Sequence, residues 1–575
     1  MKKNKISINI ISSFNCKNFS GLLKSSKKFD WEVNDTEYNQ VFQTLTNPKA
    51  KIWKKPTNIT LVWTTPDSIS SEFKKLENGN TDNSKKIEDE VKYFCSCLDS
   101  IKKYSDIVLI PSWITKYPNE GNLVLSYKKD SGLEYNLSSM NYRLFENFEK
   151  ENNCYILDSS KWLAKCGVNK TYNSKLWYLM KTPFSNDFFK ETICDIENLY
   201  LSIKGQNKKL LVLDLDDTLW GGIVGDVGWK NLRIGGHDYL GESFRDFQLK
   251  IKSLTVRGIM LALASKNDES IAMEAIKKHP EMVLSINDFV AHRINWKDKA
   301  KNISEIVDEL NIGLQSVVFF DDSPFERERV RQTLPEVFVP DLPKDPTDYV
   351  SFFSKLRCFD KKHITSEDKV RGEMYKTESK RKSLKQNFKS LSKWIETLNL
   401  KVFIENIKKE NVPRSIQLLN KTNQMNLSTR RLDEKEFLNW INKKTNLMWT
   451  IRASDKFGNY GIIGIISIAI KNNKATLIDF IMSCRVVGRL IEETTVEFLK
   501  EFCRKKNIKE ISGIYKKTDK NSLCYEFLIK LNLISKTNFN FVLSPKKSKT
   551  NLSNIHVIKP NFKGKINASK NILAK

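Results

Sequence analysis

The run LLVLDLDDTLWGG, residues 210–222, sets Asp214, Asp216, Asp217 and Thr218 between an apolar stretch and a pair of glycines. Carboxylates this close repel one another and are tolerated mainly where a cation or a demand for protons offsets the repulsion. Two residues apart at a strand end, Asp214 and Asp216 can face one small volume, where one attacks phosphorus and the other handles the leaving group's proton. An acidic turn capping a helix would use the same residue types. Phosphoryl chemistry is favoured by three further pieces that recur in order: Ser265 closing IMLALA, Lys299 near the start of a helical pattern, and SVVFF running into Asp321 and Asp322. A hydroxyl with nearby backbone N–H groups can hold phosphoryl oxygens, a lysine can neutralise their charge, and paired aspartates are hard oxygen donors suited to Mg²⁺.

These residues need strands to deliver them and helices to cover those strands. Apolar runs of strand length alternate with helical patterns along most of the chain, the signature of α/β units. Strands are expected at 6–12, 59–64 and 106–111 in a first unit, and at 208–213, 259–264 and 316–320 in a second. Ile303, Ile306, Val307 and Leu310 share one face of the helix that begins near Lys299. Between Thr218 and Ser265 there is room for a short flap, one helix with Phe244, Phe247, Ile251 and Leu254 inward, and the next strand; a full cap domain does not fit. The expected plan is a domain over 1–203, a second over 206–360, a helical connector over 361–400, a third domain over 401–544 and a basic, mobile tail over 545–575.

The chain has 575 residues, 40% hydrophobic and 29% charged, with 96 Lys+Arg against 68 Asp+Glu for a net charge of +28. It is too long for one core and too apolar for disorder. The excess lysine is spread along the whole chain rather than gathered with aromatics, so it reads as compositional bias and not as a nucleic-acid face. No run of 18 apolar residues occurs, which argues against a membrane span. The ten cysteines are scattered without a CxxC pair and only five histidines are present, which disfavours zinc and points to reduced thiols in a cytoplasmic setting.

The Asp-x-Asp-x-Thr, Ser, Lys and Asp-Asp series resembles the haloacid dehalogenase (HAD) superfamily. That resemblance implies Mg²⁺ held by Asp214, Asp216 and Asp321, Asp214 as nucleophile through an aspartyl-phosphate, Asp216 as general acid/base, and Thr218, Ser265 and Lys299 as phosphate binders. Lys297 competes with Lys299; the family's Lys-x-x-Asn spacing, here to Asn302, favours Lys299. The longer runs DLDDTLWGGIVGDVGWKNLRIG, INWKDKAKNI and FFDDSPFERERVR, with NKTNQMNLSTRR at 420–431 and SCRVVGR at 483–489, are similar to the FkbH-like, or phosphatase IIIC, group. That likeness implies a glyceryl transferase/phosphatase: a phosphorylated three-carbon donor, a cysteine thioester and transfer to an acyl carrier protein through its phosphopantetheine arm. Other members sit in surface-polysaccharide pathways, so an uncapped phosphatase acting on a sugar phosphate is the alternative.

The fold class expected is α/β in three domains. The middle one is an uncapped HAD-type parallel sheet, and the first resembles SGNH hydrolases. With no histidine before His237, it is read as a binding or positioning domain. The third resembles GNAT acyltransferases, with Arg485, Gly488 and Arg489 as the cradle for a carrier or pantetheine arm. Leu490 replaces that loop's usual second small residue, and Leu528 stands where a tyrosine acid is expected. Cys484, beside two arginines, is the expected thioester cysteine, with Cys16 and Cys358 as rivals.

Overall fold

The computed structural model describes residues 5–560 apart from 80–83, 116–123, 130, 152, 237, 361–371, 376, 378–380, 382–387, 389, 423, 484–485, 519–520, 535–538 and 547–554. The chain forms two compact units, Met1–Tyr200 and Leu201–Lys575. Among the described residues no helix is long and apolar enough to cross a membrane, and every cysteine is free.

The first unit is built on a parallel sheet of β1 (Lys5–Ser12), β2 (Asp30–Asp35), β3 (Thr57–Trp63), β4 (Ser105–Pro111) and β5 (Cys154–Leu157), in the order β2-β1-β3-β4-β5. Helices cover both faces, which is why β1, β3 and β4 are nearly continuous apolar runs. The hydroxyls at the strand ends are used in turns. Ser12 Oγ accepts from the Phe14 N–H at 3.1 Å, and Ser13 Oγ accepts from the Thr65 N–H at 3.0 Å.

The second unit carries two sheets. The first holds β6 (Leu210–Leu213), β7 (Met260–Ser265), β8 (Phe289–Ile294) and β9 (Val317–Phe320), all parallel, in the order β8-β7-β6-β9. Because β6 lies between β7 and β9, its carboxyl end opens at the point where strand order reverses, where such sheets place their chemistry. The helix Tyr239–Val256 buries Phe244, Phe247, Ile251 and Leu254 against the sheet. The insertion before it is short, with one-turn pieces at Val224–Val227 and Trp229–Asn231.

The second sheet of this unit is mixed, with parallel and antiparallel pairs. It contains β10 (Lys401–Asn406), β11 (Met425–Asn426), β12 (Asn446–Asp455), β13 (Gly458–Lys471), β14 (Lys474–Met482), β15 (Glu510–Ile514), β16 (Asn540–Leu543) and β17 (His556–Ile558). Its order is β16-β15-β14-β13-β12-β10-β17, with β11 paired to β14. The expectation of a mobile tail over 545–575 is corrected at 556–558 alone, where His556, Val557 and Ile558 pair in parallel with Lys401, Val402 and Phe403; 547–554 and 561–575 lie outside the described residues. The added strand satisfies backbone groups that the edge of β10 would otherwise leave open. Most of the 361–400 connector lies outside the described residues. Within it Arg381 is buried and makes a two-pronged ion pair with Asp455, 2.7 Å on each side.

Candidate active site

β6 ends at Leu213 and delivers Asp214, whose N–H donates to the Phe320 carbonyl of β9 at 3.0 Å. Lys299 is the first residue of the helix Lys299–Leu310, capped by Asp298, and the inward Ile303, Ile306, Val307 and Leu310 hold that helix on the sheet. The lysine is buried, with Nζ 3.0 Å from Asp214 Oδ1 and 2.6 Å from Asp321 Oδ2. Lys297 is exposed, so the sequence ambiguity resolves to Lys299. Burial alone would lower the Lys299 ammonium, but Asp214 and Asp321 outweigh it and hold the group charged well above the usual lysine range. Asp321 is pushed upward by burial and by Asp214, with Lys299 opposing.

Carboxylate oxygens of Asp214, Asp321 and Asp322 lie within 4.8 Å of one another. Asp214 Oδ1 is buried and, apart from its ion pair with Lys299, accepts no hydrogen bond. Three hard oxygen donors converging on one point, one of them lacking a hydrogen bond, fit Mg²⁺. Asp322 joins Asp214 and Asp321 in this cluster, and the Asp216 carboxylate stands outside it. Its Oδ1 accepts from Trp220 Nε1 at 2.8 Å and the Val224 N–H at 3.1 Å. Its Oδ2 accepts from Asn267 Nδ2 at 2.8 Å. Burial raises the Asp216 carboxyl while the bonds from Trp220 and Val224 lower it, and the net shift is upward, as a proton donor requires.

Thr218 also takes a different place from the one expected. Its Oγ accepts from the Asp322 N–H at 3.1 Å and lies 3.4 Å from Asp322 Oδ1, and the residue is fully buried. The hydroxyl therefore orients Asp322 instead of standing open to a phosphate. Ser265 is buried at the end of β7, next to β6. Lys266 is drawn aside to Glu326 at 2.6 Å.

Sequence reasoning missed the residues that hold this cluster from behind. Arg327, buried in the helix Pro324–Thr333, donates to the carbonyls of Asp321 and Asp322 at 2.8 and 2.6 Å. Gln248 is fully buried; its Nε2 donates to the Leu219 carbonyl at 2.7 Å, and its Oε1 accepts from the N–H groups of Val283 and Leu284 at 3.0 and 3.1 Å. The signal for Gln248 was a lone amide on the apolar face of a helix. Asp217 takes a left-handed φ of 50° and accepts from the Gly222 N–H at 2.8 Å, closing the flap turn.

In the third domain Cys484 and Arg485 lie outside the described residues. Gly488 has the positive φ of 81° that a tight loop needs, but its N–H donates to Glu492 Oε1 at 2.6 Å. Arg489 is buried and donates to the Tyr460 hydroxyl at 2.8 Å, with its guanidinium also over the Trp394 ring. Neither is free to receive a phosphate, which corrects their assignment as a carrier or pantetheine cradle. Of the rival cysteines, Cys16 is fully enclosed and burial pushes its thiol up to about 12, away from the thiolate. Cys358 packs against the core of the middle sheet.

Residues 11–197 match the family model of the FkbH N-terminal domain. The N-terminal part of the protein BF1531 from Bacteroides fragilis, a crystal structure containing a phosphatase domain complexed with Mg, is 29% identical, with a TM-score of 0.57 over 62% of this chain and 95% of that one. PaiA N-acetyltransferase from Thermoplasma acidophilum, in complex with coenzyme A, is 19% identical over 24% of this chain and 96% of that one, with a TM-score of 0.18. A GNAT-family acetyltransferase from Staphylococcus aureus Mu50 is 14% identical over 25% and 99%, with a TM-score of 0.21. No curated protein matches. The chain thus resembles FkbH-like proteins of the HAD superfamily: its first unit matches their N-terminal domain, and well over half of its length resembles a protein with a Mg-bound phosphatase domain.

Proposed function

We propose that this protein is a Mg²⁺-dependent phosphatase working through an aspartyl-phosphate on Asp214. The observation that carries the reading is the buried Lys299 ammonium bridging Asp214 and Asp321, with carboxylate oxygens of Asp214, Asp321 and Asp322 within 4.8 Å of one another. Asp214, Asp321 and Asp322 would hold the metal, which supplies positive charge to the phosphoryl oxygens and to the carboxylates around them. An oxygen of Asp214 attacks phosphorus as the bond to the leaving oxygen breaks. Asp216 gives its proton to that oxygen, and Lys299 balances the charge on the phosphoryl group. Asp216, now a carboxylate, takes a proton from water, whose oxygen attacks the same phosphorus and releases inorganic phosphate from Asp214.

The short insertion between β6 and the helix Tyr239–Val256 leaves the site without a cap, which suits a bulky or carrier-borne phosphoester. Trp296 and Phe325, on the segments following β8 and β9, are 74% and 73% exposed and offer apolar contacts to such a substrate. Nine described cysteines, all free, suit a reducing cytoplasm.

The FkbH match favours a second, finer reading, in which phosphate removal is coupled to acyl transfer. A cysteine thiolate, Cys484 by its place after β14, would attack the carbonyl carbon of a phosphoglyceryl acyl phosphate, forming the thioester as the C–O bond to the acyl phosphate breaks and phosphate leaves, and the Asp214 site would cleave the remaining phosphoester. The thioester would then pass to the thiol of an acyl carrier protein. A sugar phosphate of surface-polysaccharide assembly is the corresponding substrate for a plain phosphatase.

The test is phosphate release from an aryl phosphate with Mg²⁺ by wild type and Asp214→Asn. The wild-type rate is expected to fall below detection in the variant and in EDTA; release that survives Asp214→Asn would refute the nucleophile. An intact-mass adduct from 1,3-bisphosphoglycerate, a three-carbon acyl phosphate, lost in Cys484→Ala, separates the coupled reading from the plain one.

A further inference from the structure

β14 and β15 run in parallel but pair only from Lys474 to Leu477 against Glu510 to Gly513, and then part. A parted pair leaves a row of N–H and C=O groups that an extended amide chain can join as an added strand. In a GNAT-like domain an acyl-CoA or pantetheinyl arm would lie there, with its phosphate end toward the Arg-x-x-Gly loop.

Here that row is already taken. Met425 and Asn426 pair antiparallel with Met482 and Ile481. The Leu427 N–H donates to the Phe480 carbonyl at 3.0 Å, and across the gap the Lys516 N–H donates to the Leu427 carbonyl at 3.0 Å. Met425, Asn426 and Leu427 are all fully buried. Asn521 locks the segment: its Nδ2 donates to the carbonyls of Asn426 and Lys516 at 3.1 and 2.9 Å, and its Oδ1 accepts from the Tyr515 hydroxyl at 2.6 Å. At the loop, Glu492 is buried and takes the Gly488 N–H, and its Oε2 has no hydrogen-bond partner. An internal carboxylate thus holds an N–H that a bound phosphate would need, and it repels a second anion. Leu528, where the acid of an acetyl transfer would stand, is packed in the core.

We infer that residues 425–427 are this domain's own occupant of the gap between β14 and β15, and that the domain excludes an acyl-CoA or pantetheinyl arm from that place. The motif NKTNQMNLSTRR then has a physical role: it supplies a strand where relatives of this fold would bind a ligand. The inference stands whether or not the middle site cleaves phosphate, and it counts against the coupled reading, in which a pantetheine thiol must reach Cys484 just after β14.

Hydrogen exchange on the full chain at pH 8, with and without a large excess of acetyl-CoA, tests it. The amides of Leu427 and Lys516 are expected to exchange slowly and at the same rate in both samples. An acetyl-CoA-dependent change at either amide, or labelling of Phe480 to Met482 by a photoreactive CoA, would overturn the inference. Asn521→Ala removes the lock and is expected to speed exchange at Leu427 by about tenfold while β12 and β13 stay protected. Should that variant not fold, Tyr515→Phe removes the hydroxyl that donates to both Oδ1 and the carbonyl of the same asparagine. A folded variant with Leu427 exchanging at the wild-type rate would count against the lock.

Discussion

Replacing Lys299 by methionine keeps the length of the side chain and removes its charge. Lys299 is 3.0 and 2.6 Å from two carboxylates, and all three side chains are 8% exposed or less. Breaking a buried pair by deleting one partner costs about 3–5 kcal/mol, because the other charge is left without compensation. Here two carboxylates would be stranded, with Asp322 close by. For the compact unit Leu201–Lys575, at about 2.1 cal/mol/K per residue, 1 kcal/mol shifts the melting point by roughly 1–2 °C, so the transition of that unit in Lys299→Met should come about 5 °C lower in EDTA. If Asp214, Asp321 and Asp322 form the cation site, Mg²⁺ replaces the lost ammonium and must stabilise the variant more than wild type. At a hundredfold excess over its dissociation constant the ion contributes about 2.7 kcal/mol. The assay is calorimetry of both proteins in EDTA and across a Mg²⁺ titration. Equal melting points in EDTA would show that the lysine does not compensate these carboxylates. Equal Mg²⁺ increments in the two proteins would show that the cation is not bound among them.

Gln248→Leu leaves the Leu219 carbonyl and the N–H groups of Val283 and Leu284 without their partner. A loss of about 2–4 kcal/mol is expected in urea unfolding, with weaker phosphate release as the flap loosens; a loss under about 0.5 kcal/mol would show that the amide is dispensable. Glu492→Gln tests a buried carboxyl that burial raises to about 7, from an ordinary 4.5. With a raised carboxyl the penalty on the folded state is absent below the unfolded pKa, grows as pH rises from the unfolded to the folded value, and is complete above the folded one. Glutamine can still accept from the Gly488 N–H, so the variant should match wild type near pH 4.5 and exceed it by roughly 3 kcal/mol at pH 8. Identical pH dependence in the two proteins would refute this.

The strands of the first two sheets were legible in sequence because parallel strands buried on both faces read as unbroken apolar runs. β1, β3, β4, β6, β7 and β9 all begin and end within two residues of the expected bounds. β2 and β17 were invisible for the complementary reason. β2 is half-exposed, charged DWEVND at a sheet edge, and β17 is a three-residue edge strand that depends on the register of β10.

Within the site, residue types were easier to read than directions. Placing Asp214 and Asp216 on one face assumes that the alternation of a strand continues past Leu213. The chain instead turns after β6, with Asp217 left-handed and the Asp216 carboxylate drawn to Trp220 and Asn267. By the same logic Asp321 and Asp322, neighbours that a strand would send to opposite faces, can both turn toward Asp214 because β9 has already ended at Phe320. The Arg-x-x-Gly loop fails as a cradle for a comparable reason. A glycine N–H at a helix start goes to the nearest good acceptor, and Glu492, four residues on in the first turn of the helix Ile491–Lys505, reaches it at 2.6 Å before any ligand can. That acid was readable from sequence. The pairing of Met425 with Met482 was not, because register between segments so far apart is set by the packed core.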